Sequence, residues 1–170
     1  MVRFPKGLCL ERLDKTHKRK LFYCGQELVD EWLKSKARQS QEKNLSRTKV
    51  LINHDKDIIG FYTLSIYQIN FDELPYEVNR KLPKTLLPAM KLAWLGVHKN
   101  YQGKGLAKSL LASALLDCYT IGQSAPFCAV LLDCIDEDIK SFYLKYDFLE
   151  VPGHKLKLAL SWKTLELMCS

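Results

Sequence analysis

Nothing in the 170 residues runs apolar for the roughly 18 to 20 positions that a membrane span needs. The first dozen residues, Met1 to Arg12, lack the apolar core of a signal peptide. Both absences lead to the expectation of a cytoplasmic protein with no membrane contact. The six cysteines (Cys9, Cys24, Cys118, Cys128, Cys134 and Cys169) form no C-x-x-C pair, and no histidine cluster accompanies them. Zinc spacing is therefore missing and no metal is expected. Cys118, Cys128 and Cys134 sit in apolar stretches and read as buried small hydrophobes of a reducing compartment. No repeat, low-complexity segment or linker divides the chain. Residues 1–170 are expected to form one domain, long enough for a real core.

Net charge is nearly absent from one part only. Residues 1–57 carry 14 Lys and Arg against 8 Asp and Glu, a net +6. Residues 58–170 carry 12 against 11, a net +1. The excess lies in "DKTHKRK" and "LKSKARQSQEKNLSRTK". Such a basic face favours anionic partners such as nucleic acid, although a solvated helix face has the same composition.

Hydrophobic periodicity orders the elements. "LCLERL", residues 8–13, alternates like a strand. In "QELVDEWLKSKARQSQ", Leu28, Trp32, Leu33 and Ala37 recur at helical spacing, which predicts an amphipathic helix with a basic outer side. "TKVLIN" and "IIGFYTLSIYQI" are strands joined by the turn "HDKD". Residues 70–90 contain Pro75, Pro83 and Pro88 and show no period, so a loop with one helical turn is expected. Next come the strand "KLAWLGV", the helix "GLAKSLLASALLDCYTI" and the buried strand "PFCAVLLDCI". A short helix, "DEDIKSFYLKYDF", follows with Asp136 as its N-cap, then the strands "LEVPG" and "KLKLALSW". The class is mixed α/β, or α+β.

"HKNYQGKGLAKSLL" places Gly103 and Gly105 between an apolar strand and a long helix. The first amides of a helix lack internal partners, and their dipole end favours negative charge. Glycines there let a phosphate approach bare backbone, and Lys104 adds charge. The stretch is neither a Walker A loop nor a complete G-x-G-x-x-G, because Lys108 stands at the third glycine. Plain turn chemistry uses the same spacing.

Gln102-Gly103-Lys104-Gly105-Leu106-Ala107 fits the Q/R-x-x-G-x-G/A signature of the GNAT acyl-CoA N-acetyltransferases, which this chain resembles. Ser141 to Phe148, "SFYLKYDF", is similar to the late A-x-x-F-Y-x-x-x-G-F helix of that family, with Asp147 in place of the glycine and Ser141 in place of the alanine. Phe22-Tyr23-Cys24-Gly25, followed by Leu28, Trp32, Leu33, Ala37, Gln41, Ser46, Arg47 and Thr48, resembles the amino-terminal half of the GNAT toxins of toxin–antitoxin modules. Those enzymes acetylate the amino acid on charged tRNA. The likeness spans roughly residues 20 to 161.

The resemblance implies a twisted, mostly antiparallel sheet of six to seven strands with a central splay, flanked by about four helices. It implies acetyl-CoA held by Leu95, Gly96, Val97, Gln102, Gly103, Lys104, Gly105, Leu106 and Ala107. Tyr143 would protonate or hydrogen-bond the departing thiolate, and a phenol with an ordinary pKa of about 10 suits that task. Tyr143 lies one step round its helix from an apolar face of Ile139, Phe142 and Tyr146, so it need not be a core residue. The transfer is direct, so no cysteine serves as nucleophile. Aminoacyl-tRNA is the implied acceptor, with Lys34, Lys36, Arg38, Arg47 and Trp94 as substrate contacts. Many relatives carry a basic residue where Trp94 stands.

No general base stands out, since Asp72, Glu73 and Glu77 lie in the proline-rich loop and His98 in a turn. That absence fits an α-amino acceptor, which titrates near 7.7–8.0, better than a lysine near 10.4. A ribbon-helix-helix antitoxin and a homodimer are further expected partners. Two alternatives stay open at this point. One is an acetyltransferase for a small amine or a protein amino terminus. The other is a catalytically silent GNAT-like binding module.

Overall fold

The computed structural model describes residues 2–170. Seven strands hydrogen-bond in the order β1-β2-β3-β4-β5-β7-β6. They are β1 (Cys9–Arg12), β2 (Arg47–Ile52), β3 (Ile58–Asn70), β4 (Leu86–Val97), β5 (Ala129–Asp133), β6 (Leu149–Val151) and β7 (His154–Ser161). Pairs β1–β2, β2–β3, β5–β7 and β6–β7 are antiparallel, and β4–β5 is parallel. The β4–β5 register is Met90 with Val130 and Lys91 with Leu131. The ladder stops there, although β4 continues to Val97 and β5 to Asp133. The helices are α1 (Glu27–Glu31), α2 (Ala37–Glu42), α3 (Tyr76–Asn79), α4 (Leu106–Ser124), α5 (Glu137–Leu144) and α6 (Trp162–Cys169). No helix among the described residues is long and apolar enough to cross a membrane. Two compact units divide the chain.

The first unit comprises the residues up to Ser65 together with Ala93–Ala114. Its core gathers Leu13, Phe22, Val29, Leu33, Ala37, Val50, Ile52, Ile58 and Phe61, with Trp32 and Trp94 packed against it. Helices α1 and α2 join through a π-helical turn, Trp32–Lys36, into one run. Along that run Val29, Leu33, Ala37 and Gln41, each four apart, are buried, and Asp30 is buried beside the first of them. Ordinary helix repeats every 3.6 residues, so a four-residue stripe drifts round the axis. A wider i→i+5 turn takes up the drift. Leu28, expected on the apolar face, is therefore 66% exposed, and Val29 takes its place.

Gln41 is buried and bonds at both ends. Its Nε2 donates to the Leu13 carbonyl at 2.7 Å, and its Oε1 accepts from the Thr48 amide at 2.9 Å. Ser46 and Ser40 share a hydroxyl bond at 2.7 Å. The Ala37, Gln41, Ser46, Thr48 part of the amino-terminal motif thus fastens the helix to β2.

The second unit comprises Ile66–Leu92 and Leu115–Ser170. Ile69, Leu74, Val78, Leu87, Ala89, Ala129, Leu131, Val151 and Ala159 form its core cluster. Strand β4 starts at Leu86, so the expected loop over 70–90 is shorter than its prolines suggest. Pro88 sits inside the strand and offers its carbonyl to the Cys128 amide at 3.0 Å. The rest is a 3₁₀ turn, Phe71–Glu73, closed by a capping box with Asn70, and the single-turn α3. Asp136 caps α5, its carboxylate accepting from the Ile139 amide at 2.9 Å, as expected. Asp147 takes φ +66°, the backbone that the glycine of the related pattern supplies freely.

The C-terminal segment, expected to be strand up to Trp162, turns into α6 at that residue. Ser161 caps it by accepting from the Thr164 amide. Trp162 stacks on Tyr119 at 5.6 Å between centroids and meets Phe127 edge-on at 5.3 Å. Gly122 lies under this indole, and a Cβ there would overlap the Trp162 ring. Gly122→Ala is expected to lose about 1–3 kcal/mol despite better helix propensity. A urea unfolding midpoint checks it, and a stabilised variant would contradict the packing.

Candidate functional site: a glycine loop at a helix mouth

Strand β4 delivers Leu95, Gly96 and Val97 to the loop. Gly96 is needed for close packing: a Cβ would stand 2.9 Å from Val29 Cγ1 and 3.2 Å from the Phe61 ring. His98 then caps a 3₁₀ turn, Lys99–Tyr101, its Nδ1 accepting from the Asn100 amide. Its ring meets Phe22 and Tyr101 edge-on. A histidine so engaged acts as a turn cap rather than a base.

Gly103 and Gly105 adopt φ +77° and +79°. A Cβ at either would meet nothing within 4 Å, so backbone conformation, not crowding, requires glycine here. The two left-handed residues turn the chain into α4, whose first amides point out of the helix mouth without partners inside the helix. With 19 residues behind it, α4 places a positive dipole end at Leu106–Lys108. Leu106 buries its side chain, leaving only main chain to a ligand, and Ala107 is half-buried. Lys104 is exposed, with its ammonium 5.4 Å from the centre of the Tyr101 ring.

Gln102 is exposed but turns its side-chain amide onto main chain. Its Nε2 donates to the Cys24 carbonyl at 2.7 Å and to the Val97 carbonyl at 2.9 Å. The Lys99 amide donates to the Tyr23 carbonyl at 2.8 Å. The Cys24 amide in turn donates to the buried carboxylate of Asp30 at 2.8 Å. Gly25, at φ +96°, keeps room for the Lys99 side chain. The F-x-C-G segment is therefore the brace of the loop, a role that the pattern alone did not reveal. A carboxylate set in the buried stripe beside Val29 was the available signal, because an aspartate is almost never fully buried without a partner.

Tyr143 lies in the second unit and is 6% exposed. The residues expected to form the apolar face, Ile139, Phe142 and Tyr146, are only half-buried, while Tyr143 and Lys140 are buried. Its ring sits 5.1 Å from Phe142 and 5.7 Å from Phe148, both edge-on. Burial, with the neighbouring Cys134 thiol second, pushes its phenol well above the usual value. Tyr143 is thus a protonated hydroxyl throughout the physiological range.

The second unit also holds a shallow cleft open to solvent. Ile69, Leu131 and Val151 give it apolar walls. Lys91 is fixed in it, 2.9 Å from the Asp133 carboxylate and 5.0 Å from the centre of the Tyr67 ring. Of the loop acids, Glu73 is spent on the Asn70 amide in the capping box. No group of three metal-ligating side chains occurs among the described residues.

The basic candidates divide. Lys36 is exposed and Lys34 half-buried, both within the π turn. Arg38 pairs with Glu42 at 3.0 Å. Arg47 turns back onto the Gln41 and Ser46 carbonyls and Asn44, so its guanidinium secures a turn. Trp94 stacks on Trp32 at 5.4 Å and 11°, and Trp32 donates to Thr63. Burial pushes the thiols of Cys24 and Cys118 up to about 12 and that of Cys134 up to about 11.

A family model for the acetyltransferase (GNAT) domain matches residues 46–150. A tRNA-acetylating toxin of Mycobacterium tuberculosis is 29% identical over 142 residues, 84% of each chain. The probable toxin TacT of Sinorhizobium fredii is 30% identical over 166 residues, 92% of each chain. Among solved structures, AtaT complexed with acetyl-methionyl-tRNAfMet has a TM-score of 0.87 at 22% identity, over 96% of this chain and 99% of that one. A tyrosine-to-phenylalanine mutant of AtaT, bound to the C-terminus of the antitoxin AtaR and to acetyl-CoA, has a TM-score of 0.80 at 19% identity, over 96% and 98%. The family match over most of the chain and the relatives that span nearly all of it make this chain a member of the GNAT acetyltransferase family.

Proposed function

We propose that this enzyme moves acetyl from acetyl-CoA to the α-amino group of aminoacyl-tRNA, as the translation-blocking toxin of a toxin–antitoxin module. The observation that carries the proposal is the loop in which Gly103 and Gly105 go left-handed and open the amides of α4. In this reading those amides, with Lys104, hold the pyrophosphate of acetyl-CoA. Main chain of Leu95 to Val97 lines the pantetheine arm and polarises the acetyl carbonyl. The neutral amine attacks the carbonyl carbon, the C–S bond breaks, and the Tyr143 hydroxyl gives its proton to the thiolate. The nitrogen releases its own proton to solvent, and the Tyr143 phenolate takes one back, which regenerates the acid. A strong base is unnecessary, because esterification draws electrons from an α-amine that titrates near 7.7–8.0.

The similarity to a tRNA-acetylating toxin and to AtaT complexed with acetyl-methionyl-tRNAfMet supports this acceptor. The reaction belongs in the cytoplasm, where charged tRNA and acetyl-CoA meet. The basic π turn also suits the acidic tail of an antitoxin, here a ribbon-helix-helix protein, and exposed Leu167 and Met168 on α6 suit a homodimer. Labelled acetyl-CoA incubated with total charged tRNA is the direct test. Label bound to aminoacyl-tRNA is the expected result. Label found only on free amines or proteins overturns the assignment.

Lys34 and Lys36 supply phosphate contacts in this reading. Replacing both by alanine is expected to raise the KM for tRNA and to reduce the salt slope by roughly one to two, leaving the KM for acetyl-CoA alone. An unchanged salt slope places the RNA elsewhere.

A further inference from the structure

Asp30 has no part in the chemistry proposed above, yet it is a buried carboxylate, 7% exposed. It stands at the start of the helical run, next to the stripe that packs into the core. Burying an aspartate is costly unless hydrogen bonds compensate. One compensating bond is from the Cys24 amide at 2.8 Å. The same Cys24 turns its carbonyl the other way, to the Gln102 amide at 2.7 Å. That amide also grips the Val97 carbonyl at 2.9 Å. Asp30, Cys24, Gln102 and Val97, from two separate segments, thus form one chain of bonds. It begins on the first helix and ends at the residue directly before Gly103.

We infer that Asp30 is a positioning residue for acetyl-CoA binding, acting through Cys24 and Gln102 to hold the loop 103–107 in its binding shape. This rests on the proposal that the loop is the acetyl-CoA cradle. The physical reason is that the loop itself has little to hold it. Gly103 and Gly105 have no neighbour within 4 Å of a Cβ position, and glycine backbone is free to move. The order must come from the flank, and Gln102 is the flank's only side chain with bonds to both Cys24 and Val97 among the described residues. If Cys24 shifts, its carbonyl shifts too, and the Gln102 side chain that bridges it to Val97 must follow. Preorganised amides bind a pyrophosphate better than amides that must first be ordered.

Calorimetry with acetyl-CoA alone tests this without any acceptor. Asp30→Ala is expected to raise the Kd about tenfold, the effect of one unsatisfied buried amide carried into the loop. Asp30→Asn keeps an acceptor oxygen and should stay within about threefold. Gln102→Leu, at an exposed loop position, should again cost about tenfold. The double variant should be little worse than either single one, because both break the same chain. In turnover, KM for acetyl-CoA should rise while kcat and KM for the acceptor hold. A folded Asp30→Ala with unchanged Kd overturns the inference, and so does a double variant whose effects multiply. Should Asp30→Ala fail to fold, Gln102→Leu decides, and an unchanged Kd there counts against it. The two readings fail differently. Normal binding by valine variants of Gly103 and Gly105 removes the cradle itself, whereas loss in those with no effect at Asp30 removes only the relay.

Discussion

Tyr143→Phe is expected to lower kcat by about 100- to 1000-fold, the usual contribution of a positioned general acid. The ring is fixed edge-on between Phe142 and Phe148, so phenylalanine keeps the shape and loses only the hydroxyl. Acetyl-CoA affinity and the melting temperature should therefore stay close to the parent. Steady-state kinetics beside calorimetry separate the two quantities. Equal kcat in the variant would remove Tyr143 from the mechanism. The pH profile adds a sign. Burial raises the phenol above its ordinary value, so the proton-donating form persists to at least about pH 10. Activity should climb from pH 6 as the acceptor amine loses its proton, then level off. A falling limb near pH 8 would mean that another group donates.

Gly105→Val is expected to weaken acetyl-CoA binding by about 100-fold. A left-handed backbone costs an L-residue roughly 1–2 kcal/mol and a β-branched one more. The chain will leave φ +79° and turn the first amides of α4 away from the ligand. Charged acceptors gain about 1.5–3 kcal/mol from each such amide, so losing one or two accounts for the factor. Gly7→Val is the matching control. Gly7 has φ +90° with nothing near its Cβ position, so the strain is of the same kind in a residue outside the loop. Loss of affinity in both variants would point to general destabilisation, and loss in neither would leave the loop without a ligand.

Periodicity made most elements legible, because an alternating or helical stripe follows directly from which face is buried. Glycines before an amphipathic helix likewise announced the loop. Three features escaped for physical reasons. Pro83 and Pro88 masked the start of β4, since proline removes an amide but leaves a carbonyl that the strand still uses. The wide turn at Trp32–Lys36 shifted the helix face from Leu28 to Val29, which a uniform 3.6-residue wheel does not anticipate. The Gln102–Cys24 bond joins residues 78 apart, and no local pattern encodes a contact of that span. Arg47 and Trp94, expected from the resemblance as substrate contacts, have side chains held by neighbours of the first unit.

The deeply placed thiols bear on the safety of a reaction built around an activated sulfur ester. Only a thiolate captures acyl groups at a useful rate. With Cys24 and Cys118 pushed up to about 12 and Cys134 up to about 11, almost none of each is ionised at neutral pH. Of the six, Cys9 alone is exposed. The enzyme can therefore carry these three buried sulfhydryls without squandering its donor on their acylation.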